Sequence, residues 1–427
     1  MTPAARTAAT IEILTEVARG DAPADAVLAD WFRGHRFAGS GDRRAIREAV
    51  YGDFRAGARR RWAVQMADGD PELPRLRTIA GLALEAPGEL DSLFDGAGYG
   101  PSPLDAREQA MAATVRALEP AAAPAHVDGN CPAELHGLFR EQWGDGTAEE
   151  LAALNRTAPV DLRVNILRAT RETAQTRLAA DGYAADPTPF SPTGLRGTAR
   201  GNFQQLGAYR EGMIEPQDES SQLVTMLVDA APGLRIIDYC AGAGGKALAL
   251  AAAAENQAEI IACDVSASRL GHLEPRVTRL GVEGVRSLTV AADQAPDEIR
   301  DWADRVLIDA PCSGTGTWRR SPDMRWRTSP ETIAGFVREQ DNLLDTAATM
   351  LRAGGRIAYA VCSVLECEGR ARVDAFLARH PGFRRLPISD VLGLEMTTDL
   401  GCDDDLVLTP HRHETDGMYG AVLTRRA

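Results

Sequence analysis

The chain is nearly without lysine: of its 47 basic residues 46 are arginine, and Lys246 stands alone. It has no long apolar run either. The longest, ALALAAAA at 247–254, falls far short of the roughly 18 to 20 residues needed to cross a bilayer, which argues against a membrane span. The opening MTPAARTAATIEILTEVARG interrupts its apolar positions with Glu12 and Glu16, so it reads as an amphipathic surface helix rather than a signal peptide, and the expected location is the cytoplasm. Cysteine pairs are missing too. The seven cysteines, at 131, 240, 263, 312, 362, 367 and 402, are odd in number, dispersed and never spaced as CxxC, which argues against disulfides and a zinc site. Cys131, Cys263 and Cys402 read as small buried hydrophobes. No internal repeat or long low-complexity tract interrupts the chain.

What is present is enough apolar residue, 44%, to fill real cores, over a length that suits two or three domains. The net charge of −14 argues against a diffuse nucleic-acid coat, but it is unevenly placed. Residues 1–62 hold 11 arginines against 8 acids, a net +3 that leaves −17 for the rest. Within them, Arg33 to Arg61 carries nine arginines and three acids on what reads as a helical pair broken at AGSGD. Such a run is more often a solvated face than an RNA site, so it needs a second feature.

Helical spacing continues to about residue 87 and predicts a small all-helical unit over 1–85. The Pro-, Gly- and Ala-rich stretches that follow predict a linker with one short helix over 86–130. VDLRVNIL reads as a strand and TRETAQTRLAADG as a capped helix, which suggests a small α+β module over 131–215. From 216 to 427 strand and helix alternate: RIIDY, EIIAC, VRSLTVAA, RVLIDAP and GRIAYAVCS, each but the third followed by a helical pattern, the second of these over 266–280. That alternation means a parallel sheet covered on both faces, and the tail LVLTPHRHETDGMYGAVLTRR reads as two strands forming an antiparallel edge.

Ligands of an open α/β sheet sit beyond the carboxyl ends of its strands, and five such ends carry suggestive residues. CAGAGGK follows the first, Asp264 the second and Asp293 the third; Asp309-Ala310-Pro311-Cys312 ends the fourth and Cys362 the fifth. The glycine-rich turn lacks the GxxxxGK[ST] spacing of a phosphate loop, so its amides suit a sugar and an amino acid better than a triphosphate. An acid past the second strand suits a ribose diol, and Asp293 suits an adenine amine. An adenosine without a phosphate cradle suggests S-adenosylmethionine, with a generic nucleotide-binding sheet as the bland alternative.

DYCAGAGGK, the acids Asp264 and Asp293, DAPCSGTGTWRRSPDMRW and VCSVLECEG together resemble the Sun/Nop (RsmB-like) RNA cytosine-5 methyltransferases, and QDESSQ and TDGMYG fit the same pattern. The resemblance covers about 200–427; residues 1 to about 85 are more loosely similar to a NusB-like RNA-binding unit. It implies an α/β Rossmann-like class I methyltransferase domain, a mostly parallel sheet with an antiparallel C-terminal edge, preceded by an all-α NusB-like domain and a small α+β module. It implies that Cys362 is the nucleophile, that Cys312 assists release, that Asp309 faces the cytosine edge and that Lys246 reaches toward it. The implied cofactor set for S-adenosylmethionine is Cys240, Ala241, Gly242, Ala243, Gly244, Gly245, Lys246, Asp264, Arg269, Asp293 and Asp309. Arg59, Arg60, Arg61, Arg319 and Arg320 are the implied RNA contacts. The expected partner is RNA, ribosomal RNA first, with no membrane, no metal and a monomeric chain.

Carbon 5 of cytosine is a poor nucleophile, so a thiolate must first add to carbon 6, and two cysteines at neighbouring strand ends suit addition and release. Cys367, five residues past Cys362, reads as packing. Where either cation serves, arginine has replaced lysine; in a crowded pocket a compact ammonium on a thin stem fits where a planar fork does not, which is the reading of Lys246. The sequence departs from the family pattern at Ala243, Ala247, Val361, Gly369 and Met418-Tyr419, none of which supplies a bond-making group, although lost hydroxyl and amide groups are expected to loosen the nucleophile loop. Two rivals remain at this level: a DNA cytosine-5 methyltransferase, which would use Cys312 as nucleophile, and a catalytically silent RNA-binding assembly factor.

Overall fold

The computed structural model describes residues 1–20, 22–198, 203–291 and 295–426. The chain divides into two compact units, Met1–Arg156 with Trp318–Ser329, and Thr157–Thr317 with Pro330–Ala427. In the described residues no helix is long and apolar enough to cross a membrane.

The first unit is helical. Its opening helices, Pro3–Arg19, Ala24–Gly34 and Ser40–Arg55, bury Ile13, Leu14, Leu28, Ile46 and Val50, and the third begins within AGSGD, at Ser40. Gly57–Met66 and Pro74–Glu85 form a second cluster around Trp62 and Ile79. The stretch read as a linker belongs to that same cluster: Leu90, Leu93, Phe94, Met111, Val115 and Val127 are buried in it. Its Pro, Gly and Ala content comes from tight turns between short helices, and the few large apolar residues carry the packing. Helices Ala133–Trp143 and Thr147–Leu154 complete the unit.

A late segment, 318–329, is built into this helical unit. Trp318 is buried edge-on against Phe139, with ring centroids 5.5 Å apart. Arg325 is also fully buried, lies 4.6 Å over the Trp318 ring and donates to Asn155 Oδ1 at 2.8 Å and the Leu154 carbonyl at 3.1 Å. The Trp326 indole donates to the Phe54 carbonyl at 3.0 Å, and Asp323 Oδ2 accepts from the Ala24 amide at 3.1 Å.

The second unit carries two sheets. Strands β1 (Val160–Val164), β2 (Ala185–Pro187), β3 (Gly194–Gly197) and β4 (Ile214–Pro216) form an antiparallel sheet in the order β2-β3-β1-β4. The larger sheet contains β5 (Arg235–Asp238), β6 (Glu259–Asp264), β7 (Val285–Thr289), β8 (Ala303–Asp309), β9 (Leu351–Val361), β10 (Phe383–Leu386), β11 (Leu406–Leu408) and β12 (Met418–Arg425). Its order is β10-β12-β9-β8-β5-β6-β7, with β11 also on β12. The strands β5 to β9 pair in parallel and β12 pairs antiparallel with β9, β10 and β11. Ile236, Ile237, Ile260, Ile261, Val306 and Leu307 supply the continuous apolar faces that a two-sided parallel sheet needs. From β5 the chain runs outward through β6 and β7, then returns to β8 on the other side of β5. The crevice opens at that reversal, beyond Asp238 and Asp309.

Candidate active site

The turn after β5 is shaped by two glycines with positive φ, Gly242 at 56° and Gly244 at 80°. A Cβ on Gly244 would stand 2.3 Å from Leu273 Cδ1, whereas one on Gly242 would meet nothing within 4 Å, so the loop is pressed against the protein at one point and open at the other. Its carbonyls are pinned by two arginines: Arg163, from β1, donates to the Gly245 carbonyl at 2.9 Å, and Arg276 donates to that of Ala243 at 2.6 Å. Asp264, buried at the end of β6, accepts from the Gly242 amide at 2.9 Å, the Ser266 amide at 2.8 Å and the Arg269 guanidinium at 2.9 Å. Asp293 lies outside the described residues.

Lys246 opens the helix after the turn and its Nζ donates to Asp309 Oδ2 at 2.5 Å. Burial alone would lower the lysine's pKa, but the charge and hydrogen bond of Asp309, with Asp238 behind it, outweigh burial and raise it. Lys246 is therefore a fixed cation. The Cys312 and Cys362 sulfurs, from the loops after β8 and β9, stand 3.4 Å apart. Cys312 is held well above the ordinary thiol value by its hydrogen bond to Cys362 first, then by burial and the charges of Cys362 and Glu368. The two sulfurs are within hydrogen-bond distance, and either can donate to the other. The Gly316 amide donates to the Cys362 carbonyl at 3.1 Å, and the Gly417 amide to the Gly316 carbonyl at 2.9 Å. A Cβ on Gly316 would lie 2.0 Å from the Gly417 carbonyl oxygen, so these two loops approach as only glycine permits.

The structure thus gathers Lys246, Asp309, Cys312 and Cys362 with the Cys240–Gly245 turn, Asp264 and Arg269. Arg59, Arg60, Arg61, Arg319 and Arg320 belong to the helical unit. Arg59 pairs with Asp128 at 2.6 Å, Arg60 with Asp53 at 3.2 Å and Glu85 at 3.0 Å, and Arg61 with Glu72 at 3.1 Å while lying 4.2 Å over the Trp326 ring. Arg319 is buried and Arg320 half-buried. Packing of the helices and of segment 318–329 engages Arg59, Arg60, Arg61 and Arg319 within the helical unit.

Two residues escape a reading of the sequence. Asp238 closes β5, fully buried, with neither oxygen in a well-formed hydrogen bond. Burial drives its pKa up to about 7, with Lys246 and the Ala247 amide offsetting part of that and Asp309 adding to it. Its place two residues before CAGAGGK is the available signal. Glu368, fully buried, accepts from residues beside both cysteines, and nothing in ECEG distinguishes it from a solvated acid.

The parallel sheet, its reversal at β5 and β8, and the acid-and-glycine crevice define a Rossmann-like class I methyltransferase. The family model for 16S rRNA methyltransferase RsmB/F matches residues 225–424, and that for the RsmF/B-like ferredoxin-like domain matches 132–203. Ribosomal RNA small subunit methyltransferase B of Thermus thermophilus is 33% identical over 313 residues, covering 73% of this chain and 70% of the relative. The chain belongs to the RsmB/F family of methyltransferases. A probable methyltransferase B of Synechocystis is 33% identical, with 69% of this chain and 66% of the relative covered, and one from Pseudomonas syringae is 34% identical, with 61% and 58% covered. The chain thus spans just under two thirds of the first of these two relatives and under three fifths of the second. The crystal structure of PH0851 matches with a TM-score of 0.79 at 25% identity over 99% of both chains. That of NSun6 from Pyrococcus horikoshii with SFG, 21% identical, matches in fold with a TM-score of 0.62 over 69% of this chain and 98% of the other.

The cofactor of this family is S-adenosylmethionine, and the residues present fit it. Asp238 offers an unsatisfied buried carboxyl to an ammonium group, Gly242 leaves open space above the turn, and Asp264 fixes that turn from the position suited to a ribose diol.

Proposed function

We propose that the protein methylates carbon 5 of a cytidine in structured RNA, ribosomal RNA foremost, with Cys362 as nucleophile and Cys312 as the release residue. The observation that carries this reading is the pair of sulfurs 3.4 Å apart beside the Lys246–Asp309 ion pair. Bound S-adenosylmethionine supplies an electrophilic methyl on a sulfonium. The Cys362 thiolate places its electron pair on carbon 6, and the ring's double-bond electrons shift toward carbon 5 and N3. Asp309 accepts from the cytosine amine, and Lys246 offsets the charge gathering at N3. Carbon 5 takes the methyl, then gives its proton to water. Re-forming the carbon 5–carbon 6 double bond expels the Cys362 sulfur, to which the Cys312 S–H donates a hydrogen bond, and the resting pair is restored. A base this deep must leave its stack, which suits single-stranded or looped RNA.

Methyl transfer to total RNA, with the modified position mapped, tests the activity. Denaturing gels test the mechanism: Cys362→Ala abolishes methylation and traps no RNA, while Cys312→Ala methylates once and stays joined to RNA through Cys362. An adduct in Cys362→Ala that maps to Cys312 would invert the assignment in favour of the DNA-type order. No methyl transfer to any RNA by the unaltered chain would favour a silent assembly factor.

A further inference from the structure

Glu368 has no part in bond-making, yet it stands at the junction of both cysteine loops. It lies five residues past Ser363 in sequence and is fully buried. Its Oε1 accepts from the Ser313 amide at 2.8 Å and from Gln340 Nε2 at 3.2 Å. Its Oε2 accepts from the Ser313 hydroxyl and from the Ser363 hydroxyl at 2.6 Å. Ser313 follows Cys312 and Ser363 follows Cys362, so one carboxylate holds the residue next to each sulfur. Thr315 Oγ1 lies 2.9 Å from Ser363 Oγ and accepts from the Val364 amide at 3.1 Å, closing the network between the loops. The Tyr359 hydroxyl donates to the Glu368 carbonyl at 2.6 Å, and Gln340 also donates to the Pro311 carbonyl at 2.9 Å, so β9 and the helix Pro330–Met350 anchor it from outside.

We propose that Glu368 is a positioning residue that sets the spacing of the two sulfurs and keeps the shared proton on Cys312, so that Cys312 is a thiol when Cys362 must leave. The proposal deepens the function given above and rests on it. Four converging donors suit a carboxylate, and a neutral amide of the same shape could not accept from all of them. Leaving a hydroxyl or amide unmatched in a buried network costs more than its absence, so the network is all or none. The charged and titratable groups facing Cys312 or Cys362 are Glu368, Tyr359 and Lys246, the last paired with Asp309. Of these Glu368 faces the Cys312 side and adds to the causes that keep its thiol protonated. Lys246 faces Cys362. The pair of sulfurs therefore stands between the Glu368 carboxylate on the Cys312 side and the Lys246 cation near Cys362.

Glu368→Gln, in the full chain, is the test. Each cysteine's rate of alkylation by iodoacetamide is followed against pH by peptide mass spectrometry, without RNA. The Cys312 profile is expected to move to lower pH by about one unit, a roughly tenfold faster reaction at pH 8, while the Cys362 rate does not rise. In the RNA assay the variant is expected to accumulate the covalent adduct, as Cys312→Ala does. Glu368→Asp, which keeps the charge, restores the Cys312 profile most of the way, and serves alone if the glutamine variant does not fold. An unchanged Cys312 profile, equal acceleration of both cysteines at every pH, or failure of the aspartate to restore the profile would overturn the proposal. If the profile shifts but neither Cys312→Ala nor Glu368→Gln traps RNA, the function proposed above fails and the role of Glu368 in placing the proton survives.

Discussion

At Lys246 the fit is tight: its ammonium meets Asp309 at 2.5 Å with Asp238 close behind, in a chain that elsewhere uses arginine. Lys246→Arg keeps the charge but needs room for a planar fork, so it is expected to retain fold and cofactor affinity and to lose about a hundredfold or more in single-turnover methylation, an effect of about 3 kcal/mol on the barrier. Near-normal turnover would show that the lysine's shape is immaterial. Asp238 gives a pH signature. Its folded pKa near 7 lies above the unfolded value, so the folded state binds more protons between about pH 4 and 7, and stability without cofactor falls as pH rises through that window. A cation beside the carboxylate reverses the shift. Cofactor binding at pH 6.5 is therefore expected to release protons, seen as a buffer-dependent heat in calorimetry, and Asp238→Asn is expected to abolish the release. Equal proton release in both proteins would remove Asp238 from the cofactor's ammonium. The glycine at 369 has its own explanation. A Cβ there would sit 2.8 Å from the Tyr419 ring, and Tyr419 reaches past it to donate to Asp405 at 2.8 Å. The loop that its sequence suggests is loose is braced by Glu368.

Among the elements, the strands are legible in the sequence where their apolar runs are long and two-sided, as in RIID, EIIACD and ADRVLID, because burial on both faces leaves no other reading. The strand β10, FRRL, is not: two arginines in four residues look like surface, and its pairing with β12 through Leu386↔Val422 is tertiary information. The cysteines are legible because their chemistry is local to a strand end, whereas Glu368 and Asp238 act through neighbours that only folding supplies. The helix expected over 266–280 is two pieces, Ala267–Leu270 and Leu273–Leu280. The packing of segment 318–329 is not legible either, since nothing in WRRSPDMRW shows that Trp318 and Arg325 are buried within the helical unit. Arg325→Ala would remove a buried guanidinium from two carbonyl-type acceptors and the Trp318 ring. It is expected to destabilise the helical unit by about 3 kcal/mol, seen as a lowered Tm, while cofactor affinity is kept. Unchanged thermal unfolding would count against this packing role.

For the whole molecule, the charge asymmetry seen in the sequence also stands on exposed side chains of the helical unit. Arg33 and Arg44, 77% and 81% exposed, and Arg47 carry their charge on the outside of the helical unit, paired with exposed acids. Their combined change to Ala is expected to weaken RNA binding and to reduce the slope of log K against log salt by about 0.7 to 0.9 for each phosphate no longer neutralised, with cofactor affinity unchanged. Arg59→Ala, Arg60→Ala and Arg61→Ala should instead lower thermal stability. An unchanged slope in the first set would make the exposed arginines a solvated face. The route of the chain has a consequence for how the protein comes into being. The helical unit needs Trp318, Arg325 and Trp326, which leave the ribosome long after Arg156. At roughly 5 to 20 residues per second that interval is about ten to thirty seconds. During it the newborn N-terminal helices wait with their Asn155 and Phe54 acceptors and the Phe139 ring uncovered, and β5 to β8 emerge before they can be sealed. A nascent chain stalled before residue 318 should therefore be cut readily by protease in its first 156 residues, and one stalled far enough past 329 should resist.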